Sequence, residues 1–234
     1  MDLSHILGKN MKTLRTFGLL IAAGIILITF LPFHSCEPDD DDGPEQCDTC
    51  LVVYKPNIYM YPPQTTQLSV LINFPLGGSI IASLPEYGHG WEVNVDSNGT
   101  INNKYTCLFY ESIQPDIWQR NSGWIVNSDN LQSFFEDNMS AYGFYGREIR
   151  DFTDYWIPRL NKNNYYAIYP QDSSLINRAI ELNFSVKPDN LLRLFYLIKG
   201  LPELPAETPS VPNNILPLNR KGFYAAEWGV ITGY

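Results

Sequence analysis

Histidine is almost missing from this chain: three occur, and His89 is the only one beyond residue 36. It sits in Tyr87-Gly88-His89-Gly90, a setting that reads as a solvated turn. Triads that activate a nucleophile through histidine, and zinc hydrolases built on histidine ligands, are therefore not expected. No Gly-x-Ser-x-Gly elbow, phosphate-binding loop or His-Glu-x-x-His motif is present either. Basic residues are scarce, 16 Lys and Arg against 25 Asp and Glu, which argues against nucleic acid, whose phosphates must be neutralised by such residues. Cysteine is limited to four. Cys47-Asp48-Thr49-Cys50 has zinc-ligand spacing but lacks a second pair, and a structural zinc wants four ligands. Neither a metal nor a cofactor is expected.

What the chain does have begins at its N-terminus. Lys9, Lys12 and Arg15 precede an apolar run from Phe17 to Phe33, with Met11 opening the more compact basic segment. Phe33-His34-Ser35-Cys36 follows directly and resembles the lipobox of bacterial lipoproteins in a relaxed form. The expected organisation is a signal peptide over 1–35, a lipid-carrying Cys36 with a tether over 36–50, and a globular domain over 51–234. The alternative is an uncleaved anchor, for which this run is at the short edge. Either way residues 37–234 lie outside the cytoplasm, with the membrane as a partner through the lipid on Cys36 and the outer membrane as the expected location. Glu37-Pro38-Asp39-Asp40-Asp41-Asp42-Gly43 is a solvated block of like charge; it serves as a spacer or, as in Bacteroidetes lipoproteins, as a surface-export signal. Removal of 1–35 leaves 24 acidic and 13 basic side chains. In that compartment the remaining cysteines are expected to form a disulfide, as Cys47–Cys50 or as either of them with Cys107, leaving one thiol free.

Beyond Val52 the pattern is strand-like. Leu68, Val70, Ile72 and Phe74 alternate with less apolar residues, and Trp91 to Asp96 alternates cleanly. Ser97-Asn98-Gly99-Thr100 predicts a type I′ hairpin with a return strand over Lys104 to Glu111. Two helices are predicted mid-chain. The first carries Leu131, Phe134, Phe135, Met139 and Tyr142, with an Asp129/Gln132 capping box and a stop at Gly143. The second carries Ile149, Phe152, Trp156 and Leu160 and is broken by Pro158. Strands resume at Tyr165–Tyr169 and Ile180–Val186. Leu191–Lys199 reads as a central strand, and five prolines over 200–222 predict an extended arm leading to a last strand, Phe223–Thr232. The fold class is thus α+β, a mainly antiparallel, sandwich-like sheet structure with two inserted helices.

Several segments together resemble a family of bacterial secreted and lipoprotein domains without an established activity. They are Lys55-Pro56-Asn57-Ile58-Tyr59-Met60-Tyr61-Pro62, Gly90-Trp91, Leu108-Phe109-Tyr110-Glu111, Arg147-Glu148-Ile149-Arg150-Asp151-Phe152 with Tyr155-Trp156-Ile157-Pro158, Lys187-Pro188-Asp189, and Gly222-Phe223-Tyr224-Ala225-Ala226-Glu227-Trp228-Gly229. The resemblance spans nearly all of residues 55–230. It implies no particular chemistry.

Carboxylates and aromatics remain as candidates. Glu111 shares a period-2 face with Cys107 and Phe109; Glu227 shares one with Phe223 and Ala225, with Trp228 pointing the other way. If both lined one groove they would form an acid–base pair of the kind glycosidases use; the blander reading pairs each with a basic residue. Glu148, Asp151 and Tyr155 form a helical stripe that reads first as a solvated face. Trp91, Tyr110, Trp156 and Trp228 are the candidate binding aromatics. The expected function is non-catalytic binding of a glycan or protein partner through an aromatic patch, with a hydrolase using Glu111 and Glu227, or a structural envelope lipoprotein, as alternatives.

Overall fold

The computed structural model describes residues 49–212 and 215–232. All fall in the second of the two units, Met1–Glu45 and Gln46–Tyr234, into which the chain divides. The signal segment, Cys36 and the acidic tether lie outside the described residues. The strands are β1 (Cys50–Tyr61), β2 (Thr66–Asn73), β3 (Ser79–Leu84), β4 (Trp91–Val95), β5 (Leu108–Pro115), β6 (Trp124–Asn127), β7 (Tyr165–Gln171), β8 (Glu181–Phe184), β9 (Asn190–Leu201) and β10 (Tyr224–Thr232). The helices are α1 (Leu131–Tyr142), α2 (Arg147–Trp156) and α3 (Ser173–Ala179). The fold is α+β and mainly antiparallel.

A seven-stranded sheet in the order β3-β5-β1-β10-β9-β7-β6 forms the middle layer, and a three-stranded sheet, β4-β2-β8, packs beside it. Among the described ladders only β9–β10 is parallel. The large sheet is covered on both faces. Tyr59, Leu194, Tyr196, Tyr224, Ala226 and Trp228 meet Phe135, Met139, Phe152 and Trp156 of α1 and α2. Ile58, Met60, Leu108, Tyr110, Phe195 and Ala225 meet Val70, Trp91, Val93 and Ile176 on the other side. This double burial is why β9 and β10 read as near-continuous apolar runs.

One irregularity positions everything that follows. Val53 pairs with Ser112 and Ile231, but Asn57 pairs with Phe109 and Trp228, so β1 carries one residue more than either neighbour over this stretch. The bulge holds Lys55, whose φ is 53°, and Pro56, which has no N–H to give a central ladder. The extra residue re-phases the strand: Val53 and Ile58, an odd number of steps apart, face the same core.

Three expectations need correction. The turn at Asp96–Thr100 forms, with Gly99 N–H donating to the Asp96 carbonyl at 2.9 Å. However, Gly99 takes positive φ while Asn98 does not, so it is a three-residue turn ending in a left-handed glycine and not type I′. The chain then leaves: β4 pairs with β2, and β5 joins the other sheet beside β1 and β3. The capping box is not made, because the Asn127 side chain caps the preceding 3-10 turn and Gln132 bonds Glu136 instead. A third helix, α3, is present, capped by Asp172 accepting from Leu175 N–H at 3.0 Å.

Candidate functional site

The two candidate carboxylates do not meet. Glu227 is inaccessible on the face opposite the helices, where it pairs with Arg193 Nε at 2.5 Å and accepts from Tyr110 OH at 2.8 Å. Arg193 is held in turn by Asn177 and the Ile180 carbonyl, both at 2.6 Å. Glu111 follows Phe109 by two residues on the helix-side face, near the bulge. Partial burial raises its pKa, opposed by the charge and backbone N–H of Lys55. Carboxylates on opposite faces of one sheet cannot attack a shared bond.

The aromatic candidates are corrected as well. Trp91, Tyr110, Trp156 and Trp228 are all buried, at 2%, 0%, 6% and 0% exposure. Trp228 packs edge-on against Phe152, and Trp91 against Tyr87. Enclosed rings hold the layers together and cannot stack on a ligand. His89 is exposed in its glycine turn.

The helical stripe is not a solvated face; it is where α2 meets β1. Glu148 is buried and binds Arg220 in bidentate fashion at 2.7 and 3.0 Å, and Arg220 also covers the Tyr224 ring at 3.9 Å. That clamp ties the end of the proline-rich arm to α2. Asp151 accepts from Tyr59 OH at 2.9 Å, and Tyr59 OH accepts from Asn57 Nδ2 at 3.2 Å. Burial first, then the nearby Cys107 and Asp151, hold the Tyr59 hydroxyl well above its ordinary pKa, so it serves as a neutral donor.

This run of hydrogen bonds ends at a shallow, open cleft of about 390 Å3 lined by Lys55, Asn57, Thr106, Cys107, Asp151, Asp154, Tyr155 and Arg159. The bulge turns Lys55 toward the rings of Phe109 and Tyr155, with its Nζ 4.8 and 4.7 Å from their centroids. The Arg159 guanidinium lies 3.7 Å from the Tyr155 centroid and donates to the Tyr155 carbonyl at 2.6 Å. Because Tyr59 donates to Asp151, Asn57 must present its Nδ2 to Tyr59; its buried Oδ1 is left with no partner among the described residues.

Cys50 is disulfide-bonded and Cys107 is free, which removes both pairings through Cys107. Burial first, then Asp151, raise the Cys107 thiol to about 11 against the pull of Lys55. It stays protonated at neutral pH and is a poor nucleophile there. Among the described residues no cluster of three or more His, Cys, Asp or Glu could hold a metal ion, and no helix is long and apolar enough to cross a membrane.

Sequence reasoning passed over Lys55, Asn57 and Arg159 as site residues. The available signal was Lys55-Pro56 inside a strand, since proline in a central strand requires a bulge. The chain matches no family model, no curated protein and no solved structure.

Proposed function

We propose that the chain is an envelope lipoprotein, anchored through a lipid on Cys36, whose globular domain binds a glycan in the cleft at the β1 bulge. The observation that carries the binding site is the gathering of Lys55, Arg159, Asp151 and Asp154 around one cleft, with both cations resting on aromatic faces. Lys55 in a left-handed conformation adds local strain of about 1–2 kcal/mol, of the kind that concentrates at functional sites.

A small cleft walled by two cations, two carboxylates and an aromatic ring suits a hydroxyl-rich ligand better than a protein partner, whose contact centre is ordinarily apolar and depleted of charge. A binding role without catalysis accords with Glu227 locked to Arg193 and with Cys107 held protonated. We propose as well that the chain groups with the secreted and lipoprotein domains whose segments it resembles, several of which come together in the fold. Lys55, Asn57 and Tyr59 of the opening segment meet Asp151 and Tyr155 of the helical segment, and Glu227 of the closing segment meets Tyr110.

The test is a glycan array probed with the full chain in detergent micelles. Wild type should retain a subset of glycans, Asn57→Leu and Tyr155→Ala should lose them, and His89→Ala should keep them. Retention by none, or equal retention by the Asn57 and Tyr155 variants, would sink the reading.

A further inference from the structure

We infer that the unit taken by this cleft is an acidic sugar, a hexuronic-acid type with one carboxylate and free hydroxyls; this rests on the cleft being the binding site. Two cations face it, Lys55 and Arg159, and neither has an ion-pair partner among the described residues, where only Asp116–Arg120, Arg193–Glu227 and Glu148–Arg220 pair within 4.0 Å. Both rest on aromatic rings, with Glu111 near enough to Lys55 to feel its charge but outside ion-pair distance. Cations fixed in this way are oriented before a ligand arrives, which lowers the ordering cost of binding. Arg159 spends one of its five N–H donors on the Tyr155 carbonyl, leaving others for a carboxylate.

The rest of the cleft asks for donors. Asp151 and Asp154 line the space as acceptors, with Asp151 already accepting from Tyr59. A phosphate brings up to two negative charges against those carboxylates and, when fully ionised, no donor. A neutral sugar satisfies the acceptors and leaves the cations idle. One carboxylate on a ring of hydroxyls satisfies both halves, with the acid at Lys55 and Arg159 and the hydroxyls at Asp151 and Asp154.

The experiment is calorimetric titration of the full chain in micelles with sodium glucuronate, glucose and sodium acetate. Glucuronate should bind, with glucose weaker by about tenfold or more, as the loss of a charge-assisted hydrogen bond implies, and acetate weaker still. Lys55→Met and Arg159→Met should each weaken glucuronate by a larger factor than glucose, narrowing the gap between the two; an undiminished gap in both variants overturns the role of the cations. Arg159 is exposed, so its variant reports on binding even if the bulge variant folds poorly. Equal binding of glucose and glucuronate overturns the acidic preference and leaves the cleft reading standing. Acetate binding as well as glucuronate overturns the sugar. Absence of glucuronate binding overturns the inference outright, while the array result still decides the cleft reading separately.

Discussion

At the residue scale, two kinds of buried charge explain why the candidate carboxylates differ from one another. Glu227 and Arg193 are both inaccessible and are joined by a short ion pair, with Tyr110, Asn177 and the Ile180 carbonyl taking up further capacity. Such a pair contributes little net stability, yet removing one partner strands the other charge in the core. Glu227→Ala should therefore cost about 3–5 kcal/mol, read as a lower urea midpoint with an unchanged slope. A loss under about 1 kcal/mol would mean that Arg193 reaches solvent or another anion. At the cleft the cations are instead parked on aromatic rings, which is where a ligand's charge can still enter.

At the element scale, β1 decides the geometry. Its bulge needs room behind Pro56, and Gly229 of β10 supplies it: a Cβ there would stand 3.0 Å from the Phe195 ring and 3.2 Å from Pro56 Cγ. Gly229→Ala should destabilise by about 1–3 kcal/mol through overpacking, measured by thermal or urea unfolding; a neutral result would show that Pro56 can shift. Much of this level was legible in the sequence. Alternation marked β4 and β8, the unbroken apolar run marked β9 as central, and Gly143 and Pro158 ended the helices where they stand. What escaped was non-local. Asn98-Gly99 specifies a turn but not which strand the returning chain joins, and β5 pairs with β1 and β3 rather than with β4. The helix α3 spans seven residues, too few to display a 3.6-residue repeat. The cleft escaped for the same reason: Tyr59 and Asp151 are 92 positions apart, and period-2 and period-3.6 patterns say nothing about which strand and helix face one another.

At the scale of the whole molecule, three layers leave the aromatics little surface. The helices and the small sheet both press on the seven-stranded sheet, so Trp91, Tyr110, Trp156 and Trp228 are consumed as core. Residue type alone could not separate ring from ring; a second covering layer did. The partly open rings that remain at the bulge, Phe109 and Tyr155, orient cations instead. The central claim is that this cleft is where a ligand sits, and the free thiol inside it offers a direct reporter. Cys107 lines the cleft, and its raised pKa makes alkylation slow at neutral pH and measurable on the alkaline side. The rate of Cys107 alkylation at about pH 9, with and without an oligosaccharide retained on the array, should fall in proportion to occupancy. A bound oligosaccharide that leaves the rate unchanged would place the ligand elsewhere on the molecule and contradict the account.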